Sequence, residues 1–393
     1  MGQKRESKPG LLFGLEVTRR CNLTCPHCFT AAGAAAHPGP TRPEVRALME
    51  QLVAAGTRHL AFSGGEPLAR RDLEELMADG RAAGMKSFSM VSNGVLASPR
   101  RVAQLRRAGL VSVQVSLDGV DVRDHRAIRG CSAEAYFRAM RAIRLFREAG
   151  VEVDVATILV GPNVERLEEM TLFGQALGVR KLRYCSFVPT GRGAGDGVRA
   201  EHAAEPERLD AFLEGLRRYR AGKSPAVDLV IDHGVGPWRE DGRFRCVAGR
   251  HVAYITSEGD LYPCPSLMHP PFRVGNVFRE GLAALLASPA LHRVRRLRRR
   301  ELAEPCRSCP NPRCSGGCRG AAYAATGDVR AAPAYCNYLR RTGAPAEAPG
   351  CSPTPPEPRR LCRSVPPRPS RAGQSRSHPP WGGPPIPLGA RRR

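Results

Sequence analysis

Long hydrophobic runs are missing from this chain of 393 residues. No apolar stretch approaches the roughly twenty residues that a membrane-spanning helix needs, and the amino-terminal segment has no apolar region of the kind found in secretory signals. The cysteines could suggest disulfides, but their clustered C-x2-C spacing argues for the reducing cytosol instead. These absences predict a cytoplasmic protein that does not enter the membrane.

Lysine is scarce as well, at 5 of the 61 basic residues, although the formal net charge is +24. The arginine-rich run 291–300 is the best candidate for a nucleic-acid contact. Few aromatic residues lie near that run to stack on bases, and the excess of arginine over lysine is better explained by GC-rich coding. We therefore do not expect a nucleic-acid partner, and favour an acidic peptide or a reductase.

Cysteine, by contrast, is abundant and clustered, with 14 residues in the chain. Cys21, Cys25 and Cys28 follow a strand-like segment in C-x3-C-x2-C spacing. A 4Fe-4S cluster normally takes four cysteine thiolates, so three on one tight loop suggest one iron left open to an outside ligand. Structural zinc is the alternative, but it needs a closed set of four ligands, and His27 is poorly placed to complete one.

The hydrophobic pattern up to residue 190 alternates between strand and helix periods. Glycines follow the helical stretches as stop signals. The predicted strands are Leu11–Val17, His59–Phe62, Ser87–Ser92, Val111–Leu117, Val153–Val160 and Lys181–Val188, and the predicted helices are Glu44–Ala55, Arg71–Ala83, Arg100–Ala108, Ala133–Ala149 and Val164–Leu177. Six such units predict an α/β fold, a partial (β/α)6 TIM-like barrel over residues 11–190.

Polar residues stand where the predicted strands end, which is where parallel α/β sheets bind ligands. Each of them, taken singly, is more simply explained as a turn or helix-cap residue. Their occurrence at successive strand ends favours a binding site. They are the Gly64-Gly65-Glu66-Pro67 turn, Ser92 and Asn93, Ser116 and Asp118, and Arg129 in the loop that follows.

At these residues the chain closely resembles the radical S-adenosylmethionine (radical SAM) superfamily. The resemblance implies that Cys21, Cys25 and Cys28 hold a 4Fe-4S cluster and that the Gly-Gly-Glu-Pro turn binds the methionine amine of S-adenosylmethionine. It also implies that Ser92, Asn93, Ser116 and Asp118 contact this cofactor, with Arg129 suited to its carboxylate. Reductive cleavage of the cofactor would give a 5'-deoxyadenosyl radical, which abstracts hydrogen from the substrate.

A second group of cysteines lies in the carboxyl-terminal half, at Cys246, Cys264, Cys306, Cys309, Cys314, Cys318 and Cys336. A zinc knuckle is the alternative, yet seven thiols exceed the four ligands of one zinc. The block resembles the SPASM domain, which holds auxiliary 4Fe-4S clusters. By position, Cys246, Cys264 and Cys318 would hold one cluster, and Cys306, Cys309, Cys314 and Cys336 a second.

The first of these clusters lacks an obvious fourth thiolate. Cys185 would be the fourth ligand only if the end of its strand reaches this second group of cysteines. Its simpler role is that of a small apolar side chain filling space in a strand. Asp241, Glu240, water or a substrate atom are the other candidates.

The pattern predicts a barrel over 11–190, a bridging segment over 191–245 with a turn at Pro189–Gly193, a small cysteine-rich SPASM domain over 246–340, and a disordered Pro/Arg-rich tail over 344–393. Cys351 and Cys362 lie in that tail and are not expected to be ligands. Because only about ten residues precede the first strand, we expect peptide recognition to require a separate partner protein or the bare barrel mouth.

Within the superfamily, the chain most resembles the SPASM enzymes that mature ribosomally made peptides in the pyrroloquinoline quinone and mycofactocin pathways. This implies a peptide substrate, crosslinked or decarboxylated after hydrogen abstraction, and a flavodoxin- or ferredoxin-type reductant. A haem-pathway enzyme acting on tetrapyrrole side chains is the alternative, and sulfatase maturation would usually bring a further upstream cysteine. An iron-sulfur electron carrier would not need the Gly-Gly-Glu-Pro turn.

Overall fold

A computed structural model describes residues 11–195, 197–198, eight positions between 208 and 219, 227–232, 246–309 and 316–333. All of them belong to one compact unit, Met1–Pro349. Several predictions fall outside the described residues: the cluster ligands Cys314 and Cys336, the candidate ligands Glu240 and Asp241, and the whole tail over 344–393.

Ten strands form a single sheet in the order β10-β9-β8-β1-β2-β3-β4-β5-β6-β7. Strands β1 to β7 are parallel throughout, and β8 pairs with β1 in the same direction. The strands are β1 (Leu12–Thr18), β2 (His59–Gly64), β3 (Ser87–Ser92), β4 (Leu110–Ser116), β5 (Glu152–Leu159), β6 (Lys181–Ser186), β7 (Asp228–Asp232), β8 (Val252–Ile255), β9 (Asp260–Tyr262) and β10 (Gly275–Asn276). The first six confirm the predicted strands within two residues at each end.

Helices connect the parallel strands, as right-handed crossovers require. The first begins with a capping box, in which Thr41 and Glu44 satisfy each other's backbone N–H groups. The α-helices are α1 (Arg42–Ala54), α2 (Leu73–Ala83), α3 (Pro99–Ala108), α4 (Val122–Arg129), α5 (Ala133–Glu148), α6 (Leu167–Ala176), α7 (Val277–Glu280), α8 (Leu282–Ala287), α9 (Pro289–Arg295) and α10 (Arg319–Thr326). Within the described ranges, no helix is long and apolar enough to cross a bilayer.

The two faces of the barrel strands carry different side chains. On β1, Phe13, Leu15 and Val17 are buried in the main hydrophobic core, which also takes the apolar faces of the helices. Strand alternation therefore turns Gly14 and Glu16 to the opposite face, toward the barrel interior. The other strands follow the same rule, so the interior is lined by the residues between the core positions.

That interior is polar and open to solvent. His59 on β2 contacts the hydroxyls of Ser87 and Ser89 on β3, at 2.8 and 2.9 Å. Val91, further along β3 on the same face, is 36% exposed. Among the described residues the sheet ends at β7 and does not close on itself.

Two features differ from the sequence prediction. Arg129 is the last residue of a helix, α4, instead of lying in a loop; the segment is short and its apolar residues are few, so its helical pattern is weak. The cysteine-rich block also continues the barrel's own sheet, because β8 pairs with β1 from Leu12 opposite Val252 to Leu15 opposite Ile255. No local pattern predicts such a pairing, which joins strands about 240 residues apart in the sequence.

Candidate active site

The Gly-Gly-Glu-Pro turn at the end of β2 binds the backbone that leads into the three-cysteine loop. The N–H of Gly65 donates to the carbonyl of Thr18 at 2.8 Å, and that of Glu66 donates to the carbonyl of Arg20 at 2.9 Å. A Cβ at Gly65 would lie 2.3 Å from the Arg20 carbonyl oxygen, and Gly64 has a φ of +127°. Both positions therefore require glycine, since a side chain would push the cysteine loop away.

Glu66 is completely buried, and its carboxylate organises the turn around it. One carboxylate oxygen accepts from the N–H of Leu68 at 3.0 Å and from the hydroxyl of Ser92 at 2.8 Å, while the other accepts from the N–H of Asn93 at 2.7 Å. Burial raises the pKa of Glu66, and these three hydrogen bonds oppose that rise. A carboxylate has about four acceptor positions, so one remains for a further donor such as an ammonium group.

Asn93 connects the end of β3 to the cysteine loop. Its side-chain amide donates to Asn22 at 2.9 Å and lies 3.7 Å from the sulfur of Cys21. Its carbonyl oxygen accepts from the N–H of Val95 at 2.9 Å, which holds the amide in this orientation. Two predicted site positions, Asn93 and Cys21, are thus adjacent in space although 72 residues apart in the sequence.

The three thiols of the loop lie together in a largely buried environment. Cys25 is 8% exposed. Burial raises the pKa of Cys21 to about 11, and the neighbouring Cys25 and Cys28 add to the rise. Burial also raises the pKa of Cys25, although the charge of Arg129 opposes it. Thiols of this kind become thiolates when they bind metal, so the set suits a cluster better than free reactive cysteines.

Asp118 and Arg129 form a buried ion pair next to this loop. Their side chains are 1% and 11% exposed, and the Nε of Arg129 lies 2.6 Å from a carboxylate oxygen of Asp118. The other oxygen accepts from the N–H of Ile158 at 2.8 Å. Burial acts to raise the pKa of Asp118, but the charge of Arg129, nearby histidines and the hydrogen bond from the Ile158 N–H together outweigh burial and keep the pKa below its usual value. Arg129 also directs an Nη atom toward the sulfur of Cys25, 3.7 Å away.

His125 and Asn163 hold the backbone of this acidic residue. The N–H of Asp118 lies 3.2 Å from Nδ1 of His125, and the amide of Asn163 donates to the Asp118 carbonyl at 2.9 Å. Burial and the charge of Arg129 lower the pKa of His125 to about 4. His125 is therefore neutral at physiological pH and accepts the Asp118 N–H.

Sequence reasoning did not assign a role to Arg192, which contacts the cysteine loop from the 3-10 turn Gly191–Ala194 that follows β6. Its Nε donates to the carbonyl of Cys25 at 3.0 Å and its backbone N–H to that of Cys28 at 3.0 Å. A Cβ at Gly191 would lie 2.5 Å from the Cys28 carbonyl oxygen. The only sequence signal was the Pro189–Gly193 turn, whose contact with the loop is visible only in three dimensions.

The cysteine-rich block also contributes to the wall of the site. On β8, the hydroxyl of Tyr254 donates to that of Ser63 at 3.1 Å, and the tyrosine ring packs edge-on against Phe29 with centroids 6.2 Å apart. The buried Glu16 on β1 accepts from the N–H of Ser257 at 3.1 Å. These three contacts hold the cysteine-rich block against β1, β2 and the cysteine loop.

Three of the later cysteines also converge. Cys264 precedes a short turn that packs against the start of α10, and Cys318 is the N-cap of that helix. Burial raises the pKa of Cys264 well above its usual value, and the adjacent Cys318 and Cys246 raise it further. Cys246 and Cys264 also pack against the same small hydrophobic cluster.

Cys306 is buried and Cys309 partly buried, while the two other predicted members of their set lie outside the described residues. Cys185, expected as a buried filler, is instead partly exposed. It alternates with the core residues Leu182 and Tyr184 and so faces the barrel interior.

In the described part of the chain, no three His, Cys, Asp or Glu residues are grouped closely enough to hold a single metal ion. A 4Fe-4S cluster does not require such a group, because each of its thiolates binds a different iron.

Comparison with protein families gives two matches. Residues 15–173 match the model of the radical SAM superfamily, and residues 246–310 match SPASM, an iron-sulfur cluster-binding domain. The first range contains every predicted cofactor position of the barrel. The second contains Cys246, Cys264, Cys306 and Cys309.

Individual relatives fall into more than one functional group. The AdoMet-dependent heme synthase of Nitratidesulfovibrio vulgaris is 28% identical over 85% of this chain and 94% of its own length. Mycofactocin maturase MftC of Mycolicibacterium smegmatis is 30% identical over 78% of each protein. Among solved structures, Streptococcus suis SuiB bound to the precursor peptide SuiA has a TM-score of 0.66 at 17% identity, covering 84% of this chain and 76% of that one. This last similarity establishes the fold.

Proposed function

This chain belongs to the radical SAM superfamily and carries an SPASM domain, and we propose that it uses a 5'-deoxyadenosyl radical to modify a ribosomally made peptide. The membership makes it an iron-sulfur enzyme that uses S-adenosylmethionine. One observation carries the assignment of the site: Cys21, Cys25 and Cys28 lie together at the carboxyl edge of the sheet, contacted by Asn93 and Arg129 from β3 and α4.

In this proposal each part of the site has one task. Cys21, Cys25 and Cys28 hold the 4Fe-4S cluster. Residues 64–67, with the remaining acceptor position of Glu66, bind the amine of S-adenosylmethionine, and Arg129 binds its carboxylate. Ser92, Asn93, Ser116 and Asp118 orient these groups. The bound cofactors supply a radical that abstracts hydrogen from the substrate, while the enclosing strands keep other hydrogen donors away.

The auxiliary sites are assigned in the same way. We propose that Cys246, Cys264 and Cys318 hold one further cluster and that Cys306, Cys309, Cys314 and Cys336 hold another. Their task would be to accept or relay the electron released when the substrate radical is oxidised. Direct contacts of the cysteine-rich block with the barrel, such as that of Tyr254 with Ser63, support a position for these clusters beside the site.

A peptide substrate is supported by the open form of the barrel and by the relatives. Among the described residues the sheet does not close after β7, and we take this open edge beside the mouth as the entrance for a long chain. MftC is named as a maturase and SuiB is bound to a precursor peptide. A separate recognition protein and a flavodoxin- or ferredoxin-type reductant are proposed partners.

Modification of a tetrapyrrole side chain is the second candidate. It is favoured by the heme synthase relative, 94% of whose length this chain covers. The same radical would serve both reactions, so the two candidates differ only in what occupies the barrel.

The test is anaerobic reconstitution of the full chain with iron and sulfide, followed by reduction in the presence of S-adenosylmethionine. We expect 5'-deoxyadenosine by chromatography; its absence from a fully loaded enzyme would refute the radical assignment. Candidate precursor peptides and haem-pathway tetrapyrroles are then added separately. A mass change in the peptide supports the proposal, and one confined to the tetrapyrrole replaces it with the second candidate.

A further inference from the structure

Arg319 is a buried arginine in the cysteine-rich block, called the extension below, and it follows Cys318 in the sequence. It is 2% exposed and has the largest volume among the fully buried side chains. Its backbone lies in the first turn of α10, directly after the N-cap. A charged guanidinium in such a position has to be compensated by its surroundings, because removing it from water costs several kcal/mol.

Backbone carbonyls satisfy only part of this side chain. Nη1 donates to the carbonyls of Val329 and Ala331, both at 2.9 Å, and Nε lies 3.4 Å from the carbonyl of Gly317. Nη2 is buried and has no hydrogen-bond partner among the described residues. It lies beneath the turn before Cys318, since a Cβ at Gly316 would be 3.1 Å from it.

No carboxylate in the described part of the chain forms an ion pair with Arg319. The acidic residue closest in sequence, Asp328, is partly exposed and pairs with Arg330 at 3.2 Å. The carbonyl bonds stabilise the position of the guanidinium but supply no negative charge. A buried positive charge with one unpartnered donor indicates that the extension carries an anion in its working form.

The neighbouring thiols provide that anion when they bind a cluster. A 4Fe-4S core with a charge of +2 and three or four thiolates carries a net charge of −1 or −2. Arg319 directly follows Cys318 in the chain, and its guanidinium lies against the Gly316–Gly317 turn that leads into that cysteine. Net charge and nearby hydrogen bonds are among the factors that set the reduction potential of such clusters.

We propose that Arg319 is the buried counter-charge of the cluster held by Cys246, Cys264 and Cys318, and that it raises the reduction potential of this cluster. The positive charge stabilises the reduced cluster, which holds one more electron, more than the oxidised one. Arg319 therefore favours electron transfer from the substrate radical to the extension. It is a positioning and electrostatic residue, and the inference rests on the cluster assignment proposed above.

The test is a redox titration followed by electron paramagnetic resonance on the full chain carrying Cys25→Ala and Cys309→Ala, which isolates the cluster of interest. Arg319→Gln removes the charge and Arg319→Lys keeps it. Arg330→Gln is the control, because Arg330 is 60% exposed and lies between Val329 and Ala331, whose carbonyls accept from Arg319. We expect Arg319→Gln to lower the equilibrium constant for one-electron reduction at least tenfold, a shift of 59 mV. Arg319→Lys should restore most of the lost equilibrium constant, and Arg330→Gln should change that constant less than twofold.

Two results would overturn the proposal. One is a potential unchanged in Arg319→Gln with full iron content. The other is loss of the cluster from both Arg319 variants, which would assign the arginine to loop structure alone. If instead the parent protein with intact Arg319 holds no cluster, the assignment of the three cysteines fails, independently of Arg319.

Discussion

The buried ion pair of Asp118 and Arg129 gives a stringent test of how this site is built. Asp118→Asn keeps the acceptor for the Ile158 N–H and removes only the negative charge. The partner arginine, 11% exposed, is then left buried without its counter-charge. Removing one member of such a pair costs about 3–5 kcal/mol. Because asparagine still satisfies the backbone, we expect the lower limit, a loss of about 3 kcal/mol of unfolding free energy.

The assay is urea-induced unfolding of the anaerobically purified protein, followed by circular dichroism with linear extrapolation. Glu134→Gln is the matched control. It makes the same chemical change in an arginine ion pair of similar length, 2.6 Å, but with side chains 69% and 52% exposed. Exposed pairs contribute about 0.2–1 kcal/mol. Equal losses in the two variants would refute the argument that burial gives the Asp118–Arg129 pair its strength.

The remaining predictions concern the cysteines, the glycine turn and pH. Cys25→Ala should abolish formation of 5'-deoxyadenosine and Cys309→Ala should spare much of it; equal loss would refute the division between catalytic and auxiliary clusters. Gly65→Ala should lower the iron bound at the three-cysteine loop at least tenfold, because the new side chain displaces the Arg20 carbonyl. Gly33→Ala is the control and should bind iron normally, since nothing lies within 4 Å of its new Cβ. Similar iron contents in the two variants would contradict the argument that the Gly-Gly-Glu-Pro turn positions the cysteine loop. Because the folded pKa of His125 is about 4 against about 6.5 unfolded, its contribution to stability is full above pH 6.5 and falls by about 1 kcal/mol between pH 7.5 and 5.5. The His125→Gln variant should lose that part of the pH dependence in urea unfolding, and an unchanged pH profile would show that His125 is not its source.

Local sequence predicted the six barrel strands and five of the helices, because each has a clear hydrophobic period and most are bounded by glycine or a cap. Ser87–Ser92, for example, has the predicted bounds. Helix α4 has a weak helical pattern, because its eight residues include few apolar positions. The local sequence therefore predicts a loop at Arg129, where the structure has the end of a helix. The parallel pairing of β8 with β1 was not predictable either, because it depends on contacts between distant segments.

The type of chemistry is readable from local sequence. The spacing of the thiols Cys21, Cys25 and Cys28, and the glycines at residues 64 and 65, are properties of short segments. Tertiary packing sets which groups share an environment. Three acceptor positions of the Glu66 carboxylate are occupied by protein donors, and Arg129 is paired with Asp118. Tertiary packing also buries Arg319 beside Cys318 without a carboxylate among the described residues. Burial and charge pairing arise when distant segments pack together, so spacing along the chain cannot reveal them.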